Sequence, residues 1–332
     1  MAKEIVFIVN DQNVGGIRTF LKSFEVNYHV VSLANSKFSL WPLKLLYAIW
    51  LCYKLKPSTV VLNDDLPALL IIFLVGERRI VFLHKNPDYI HKSKFWFNYY
   101  RFVARFYSVN WFGVSKSQSL SISRIINRKV HTRFTLYNVD YLQIEYCPKY
   151  INFIYLGRVV EGKGIQELTN LLSKISSLTD KKLVLNIVGP IDNKKMLNKI
   201  QDSCAITIQT HGSRELEYLA SFKSLCAISL SDSEGFGLAN YELLGAGVPC
   251  LVKDVNYGPS ELLMNKLEEG EIGSFLIDRN YQINEVLDYL ALLFHNKENY
   301  DIARRKSRKQ WEDFNTFAKA NNKNQIIKLC FY

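Results

Sequence analysis

Twelve short runs of β-branched and aromatic residues punctuate this chain, and the gaps between them are mostly long enough to hold a helix. In the first half the runs fall at 4–9, 28–33, 59–63, 79–84, 110–114 and 133–137, and they are apolar almost throughout. Strands covered by helices on both faces have that character, whereas half-exposed strands alternate. After residue 138 the rhythm pauses in the polar stretch NVDYLQIEYCPKY and restarts with runs at 152–156, 183–188, 205–210, 225–230, 249–252 and 274–277. From residue 284 onward the pattern is helical. Alternating strands and helices imply parallel sheets with crossover helices. At 332 residues the chain is long for one core and suits two. The expectation is an α/β protein of two doubly wound, Rossmann-like domains facing a cleft, over 1–145 and 151–315. A helix over 316–332 should pack back on the first domain.

Charge separates the halves. Residues 1–150 hold 20 Lys and Arg against 9 Asp and Glu, while residues 151–332 hold 22 against 22. The whole excess of +11 therefore sits in the first half, which points to an anionic partner there: nucleic acid, an anionic membrane surface or a phosphorylated substrate. The six cysteines are widely spaced, mostly within apolar runs, and share no ligand spacing with the six histidines. Reduced, buried thiols are expected, with no bound metal and no cofactor. The start, MAKEIVFIVND, has too short an apolar run for a signal peptide, and no stretch approaches the roughly 20 residues of a spanning helix. The chain is expected to be cytoplasmic.

In doubly wound domains ligands bind beyond the carboxyl ends of the strands, so the loops there are the places to search for chemistry. Four stand out. The first, NDQNVGGI, places Gly15 and Gly16 at the opening of a helix whose amides can face an anion, although a plain strand-to-helix turn accounts for them equally. The second, LGRVVEGKG, carries Arg158 and Lys163, a forked donor and a point charge suited to a diphosphate, or simply solvated bases. The third, SDSEGFGLANYELLGAGVP, sets Glu234 before a helix and Glu242 on its second turn, with Gly235, Phe236, Gly237 and Leu238 between. Carboxylates can each accept bonds from two hydroxyls of a sugar or ribose, and helix capping alone does not explain the surrounding glycines. The fourth, FLHKNPD, ends a strand on His84, a position that is more often structural than catalytic.

Glu234-x7-Glu242 followed by LLGAGVP resembles the E-x7-E signature of retaining glycosyltransferases of family 4, which have the GT-B fold. The Gly15–Gly16 turn, VSKS at 114–117, NVD at 138–140 and GR-x4-KG at 157–164 follow in the family's order. NVD stands where N-G-V-D is usual, and ELLG where EAMA is usual. The resemblance implies a metal-independent hexosyltransferase whose donor is a nucleotide diphosphate sugar. Arg158 and Lys163 would hold the diphosphate, Glu242 the ribose and Glu234 the donor sugar. Gly15, Gly16, Gly235, Phe236, Gly237 and Leu238 would complete the donor site, and His84 would lie beside the anomeric carbon. DVNYGPSEL, at 254–262, is similar to members that build cell-envelope polymers, so the acceptor is expected to be a glycan or lipid-linked molecule of lipopolysaccharide, capsule or teichoic acid type.

The basic half also contains HKSKFWFNYYRFVARFYSVNWF, in which ten of the eighteen residues at 95–112 are aromatic. A core helix is one reading. The other is a helix seated in a membrane interface with Lys92, Lys94, Arg101 and Arg105 facing anionic headgroups, and WPLKLLYAIWLCYKLK has the same character. Peripheral attachment to the inner face of the cell membrane follows from the second reading. No nucleic-acid-binding module is recognisable. Two other readings are a sugar-nucleotide epimerase, for which the acid/base residues are missing, and a catalytically silent accessory subunit of the same fold.

Overall fold

The computed structural model describes the chain apart from residues 1–4, 12–14, 25–26, 37–38, 75–77, 85, 204, 256, 264–267, 269 and 331–332, and apart from the side chains of residues 199, 202–203 and 323–330. It divides into two compact units, one of residues 1–137 with 317–332 and one of residues 138–316.

In the first unit the elements are β1 (Ile5–Val9), α1 (Gly15–Lys22), β2 (His29–Ser32), α2 (Trp41–Leu55), β3 (Thr59–Asn63), α3 (Asp65–Ala68), β4 (Arg78–Leu83), α4 (Pro87–Lys92), α5 (Lys94–Phe106), β5 (Asn110–Gly113), α6 (Lys116–Ile126) and β6 (Val130–Thr132). A 3₁₀ turn, Leu69–Phe73, follows α3. The sheet is parallel, in the order β2-β1-β3-β4-β5-β6. Successive strand residues point to opposite faces. Val6, Ile8, Val60, Leu62, Val81 and Leu83 pack with Leu45 and Ala48 of α2, Tyr100 and Val103 of α5 and Ile122 of α6. Phe7, Val9, Val61 and Phe82 pack with Phe20 and Leu21 of α1. The division follows from right-handed crossovers: the order reverses at β1, so α1 lies on one face and α2, α5 and α6 on the other.

The expected strand at 133–137 does not form; β6 occupies Val130–Thr132 instead. The reason lies in competing partners. The Phe134 N–H donates to Asn322 Oδ1 at 3.1 Å and its carbonyl accepts from Asn322 Nδ2 at 3.0 Å, so a side-chain amide takes the place of a neighbouring strand. Arg133 is buried, donating to Ser23 Oγ and the Ser23 carbonyl and lying 3.7 Å from the centre of the Phe24 ring.

In the second unit the elements are β7 (Tyr150–Leu156), α7 (Ile165–Ser176), β8 (Lys182–Val188), α8 (Lys194–Ser203), β9 (Thr207–Thr210), β10 (Leu225–Ser229), α9 (Leu238–Gly245), β11 (Cys250–Lys253), α10 (Pro259–Leu262), β12 (Phe275–Ile277) and α11 (Ile283–Leu293), and α12 (Lys297–Cys330) begins there. This sheet is also parallel, ordered β12-β11-β10-β7-β8-β9. Helix α7 shows why such segments fold as they do: Ile165, Leu168, Leu171, Leu172 and Ile175 recur at helical spacing and are buried. Segment 138–147 lies along α9. Val139 rests where a Cβ on Gly245 would come within 2.6 Å, and Tyr141 where one on Gly247 would come within 2.3 Å. Buried Arg304 of α12 donates to the carbonyls of Gly247, Ile144 and Leu142, and Arg308 to those of Val139 and Gly245. The glycines of GAGVP are thus seats for this segment, a packing role that the sequence left unexplained.

Candidate functional site

In the second unit the strand order changes direction between β7 and β10, and loops leaving the carboxyl ends of two such strands border a crevice. Those loops are 157–164 and 230–237. Backbone contact holds them together. Gly164, with φ of +70°, approaches so closely that a Cβ there would lie 2.0 Å from the Leu230 carbonyl oxygen, and the Asp232 N–H donates to the Gly162 carbonyl at 2.9 Å. On the other side Gly189 meets Gly157 equally closely, and the Gly157 N–H donates to the Val188 carbonyl.

This close approach joins two of the residues singled out from sequence. Lys163 Nζ donates to Glu234 Oε1 at 2.7 Å, with both side chains mostly shielded from solvent. Tyr155, at the end of β7, donates its hydroxyl to the Arg158 carbonyl at 2.7 Å. Burial, reinforced by the nearby Glu234 charge, raises the Tyr155 phenol above its ordinary range, so it remains a donor. Arg158 is more open: its guanidinium lies 3.6 Å from Asp192, and both are about half exposed.

Beyond Glu234 the chain turns at Gly237, which has φ of +85° and precedes α9. Gly235 is half-buried, Phe236 is buried against Tyr241 and Phe314, and Leu238 opens the helix. Glu242 is half-buried on α9. Gly258, with φ of +62°, passes against the Phe236 backbone, where a Cβ would come within 2.5 Å, and Pro259 begins α10 behind it. The GP pair is therefore a close backbone passage beneath the loop at 234–237.

One group of supporting residues was missed from sequence. Lys253, at the end of β11, is nearly buried and donates to Glu167 Oε2 at 2.7 Å and Asp232 Oδ1 at 3.0 Å, and Tyr281 donates to Glu167 Oε1 at 3.2 Å. Burial works against the Lys253 charge, but bonds to the two carboxylates outweigh it and its pKa is raised. This strut fixes Asp232, two residues before Glu234. A cavity of about 770 Å³ adjoins it, walled by Gly162, Gly164, Glu167, Asp232, Arg279 and Tyr281. A lone lysine ending an apolar strand gives no signal in a sequence; only the partners brought by α7 and the loop define it.

The first unit has its own set of strand ends at the point where its order reverses. Asn10 follows β1, Asn63 ends β3 and His84 follows β4. His84 Nε2 lies 2.5 Å from Asn63 Oδ1, its backbone N–H donates to Asp64 Oδ1 at 3.0 Å, and its ring meets Phe20 edge-on. Burial lowers the His84 pKa, opposed by Asp64 and assisted by Arg133. Asp64 adopts φ of +68°, uncommon for a residue with a side chain. Asn10 Oδ1 and Asn63 Nδ2 are buried with no partner among the described residues. Gly15 and Gly16 open α1, while the preceding residues 12–14 lie outside the described residues.

Among the described residues no group of three His, Cys, Asp or Glu side chains could hold a metal, and no helix is long and apolar enough to cross a membrane. Cys226 and Cys250 are buried, and burial pushes both thiols well above their ordinary range.

Residues 147–310 match the family model described as glycosyl transferases group 1. Comparison with curated proteins finds no significant match. Among solved structures, HepE of Anabaena, determined in complex with UDP and glucose, superposes with a TM-score of 0.73 at 13% identity over 98% of this chain and 99% of that one. Sucrose-phosphate synthase from Thermosynechococcus elongatus gives 0.72 at 12% identity over 99% of both. TarM gives 0.67 at 17% identity over 87% of this chain, which spans 58% of TarM's length. The fold is GT-B, and the match to the glycosyl transferases group 1 model falls within the second unit.

Proposed function

We propose that this chain is a retaining, family 4 glycosyltransferase that moves a hexose-type sugar from a nucleoside diphosphate sugar to a hydroxyl of a cell-envelope glycan or lipid-linked acceptor. The observation that carries this reading is the 2.7 Å pair of Lys163 and Glu234 at the β7–β10 switch point. When a donor enters, each partner has a better ligand there. Lys163 turns to the diphosphate, and Glu234 accepts hydrogen bonds from the sugar hydroxyls. An acceptor oxygen then bonds to the anomeric carbon as the bond from that carbon to the diphosphate oxygen breaks, on the same face, and the proton of the acceptor hydroxyl passes to the departing diphosphate oxygen. The departing diphosphate gains negative charge, which Lys163 and Arg158 offset electrostatically without a metal. Glu242 holds the ribose, and Gly235 to Leu238 let the backbone approach the donor. His84, kept neutral by its burial, is the catalytic histidine that the family resemblance assigns to the anomeric carbon.

The acceptor class is supported by the similarity to the lipopolysaccharide outer core galactosyltransferase WaaB, which superposes with a TM-score of 0.63 at 15% identity. The basic first unit suits an acceptor presented at an anionic membrane surface, with the enzyme attached peripherally to the inner face. Incubation with a panel of nucleotide sugars tests the reading. Nucleoside diphosphate release that depends on envelope acceptor, with the anomeric configuration retained in the product, is expected. Release of no diphosphate from any donor, or interconversion of the donor sugar in place of transfer, would overturn it.

A further inference from the structure

The first unit holds a second cavity, of about 510 Å³, where α5 meets the end of α6. Its walls include Arg101, Phe102, Arg105, Phe106, Asn127 and Arg128, and no carboxylate lines it. Asn127 ends α6 in the left-handed conformation, with φ of +50°, and Arg128 Nε donates to the Ala104 carbonyl at 3.0 Å. The turn therefore pins a third guanidinium beside the two that α5 presents one helical turn apart. Arg101 lies over the Phe97 ring at 5.2 Å and Arg105 over the Phe106 ring at 5.5 Å. Three like charges around one hollow repel each other, and an anion relieves that repulsion. The wider sequence supplies no acid: from Tyr89 to Val139 there are nine Lys and Arg and no Asp or Glu.

The hollow opens on a layer that is unusually apolar on its outer side. Helices α2, α5 and α6 cover the same face of the sheet. Their outer surfaces expose Trp41, Leu46, Trp50, Tyr53, Phe95 and Phe106, with Trp50 at 52% and Phe106 at 64%. Helix α2 also contributes Lys44 and Lys54 and no acid, and Lys54 Nζ sits 5.2 Å above the Trp50 ring. Exposed aromatics among bases are the composition of a surface that lies in a lipid interface. A second copy of the chain is a poor occupant, because a two-fold interface would set this basic face against itself.

We infer that Arg101, Arg105 and Arg128 hold the phosphate of an anionic phospholipid headgroup, with Phe102 and Phe106 entering the interface and the outer face of α2 lying alongside on the same bilayer. This rests on the membrane attachment proposed above and gives it an address.

Flotation of the whole chain with vesicles of phosphatidylcholine, with and without phosphatidylglycerol, tests the inference. The protein should rise with the anionic vesicles at low salt and be released at high salt. Replacing the three arginines together (Arg101→Gln, Arg105→Gln, Arg128→Gln) should weaken partitioning roughly 100-fold, since each basic residue near an anionic surface contributes about fivefold. Absence of flotation, equal flotation on phosphatidylcholine alone, or undiminished flotation of the triple variant would overturn it, as would a dimer or an RNA complex that the same three changes abolish while vesicle binding persists. Thermal shifts with UDP, GDP and ADP on the same preparations report on the donor site separately. An unchanged shift shows that the triple variant is folded, and a wild-type protein that floats but answers to no nucleotide counts against the donor reading alone.

Discussion

Both sheets reverse their strand order once, yet the two reversal points are built differently. In the second unit, where 20 Lys and Arg stand against 24 Asp and Glu, the loops at β7 and β10 touch through glycine and their polar groups are paired: Lys163 with Glu234, Lys253 with Glu167 and Asp232. In the first unit, which holds all the net positive charge, the ends of β1 and β3 keep Asn10 Oδ1 and Asn63 Nδ2 buried and unpartnered among the described residues, beside an Asp64 with positive φ. A site that pairs its own charges keeps its shape when empty and exchanges partners when a ligand arrives. One with unmet donors and acceptors depends on what enters to complete it. On this comparison the second unit is the preformed half and the first is the adaptable half.

The largest effect should come from breaking the pair that defines the preformed half. Lys163→Ala and Glu234→Ala should each lower kcat/KM for nucleotide-sugar turnover by roughly 10²–10³-fold, the range for removing one electrostatic contact to a developing charge. The double variant should lose at least the product of the two, because the pair parts when the donor binds and each residue then holds its own portion of it. Steady-state kinetics on the four proteins decide this, and a double loss far below the product would mean that the two residues stay paired and act as one unit.

Stability gives the next contrast. Gly164→Ala drives a Cβ into the Leu230 carbonyl and Gly189→Ala drives one into that of Gly157, so each should cost about 3 kcal/mol or more, as backbone must move to relieve the contact. Gly212 is an internal control. Its φ is +64° but a Cβ there meets nothing within 4 Å, so Gly212→Ala should cost only the left-handed strain of ~1–2 kcal/mol. Urea unfolding of the three variants tests the ordering, and equal costs would show that the loops do not depend on this close approach.

A smaller loss should follow from the strut. Lys253→Met leaves Glu167 and Asp232 facing each other without their shared cation, and Asp232 shifts with the loop that carries Glu234. A drop of about tenfold in kcat, with the Lys253→Arg variant recovering most of it, is expected for a positioning role. A change confined to unfolding temperature would make the strut purely structural.

The two halves also differed in how far their sequence could be read. The third loop was legible because glycines, acids and a helix start lie within a few residues, so local chemistry and local geometry coincide. Lys253, Glu167 and Tyr281 were not, since they are separated by more than a hundred residues at the extremes and no local feature marks any of them. In the first unit the apolar runs gave the strands within a residue or so, except at 133–137. There the deciding partner is Asn322, almost two hundred residues away, and Arg133 finds its bonds on Ser23. Periodicity reports which residues can form a strand but not which backbone groups a distant amide will claim.

The smallest effect concerns His84, on the adaptable side. Burial among Phe20 and its neighbours disfavours the imidazolium, so its pKa lies below the 6.5 of an exposed histidine despite Asp64 nearby. The unfolded chain thus binds a proton at this position more readily than the folded one, and stability must fall as pH drops from about 6.5 towards the folded pKa, below which both forms are protonated and the loss is complete. His131 and His211 are lowered in the same direction, so the pH profile of the wild type alone mixes three groups. The informative quantity is the difference between wild type and His84→Gln in urea midpoint, followed from pH 8 to pH 5. That difference should stay constant above neutrality and shift in favour of the variant as the pH falls. A difference that does not change with pH would mean that His84 is not held neutral by its surroundings, and the case for an uncharged ring facing the reacting carbon would fall with it.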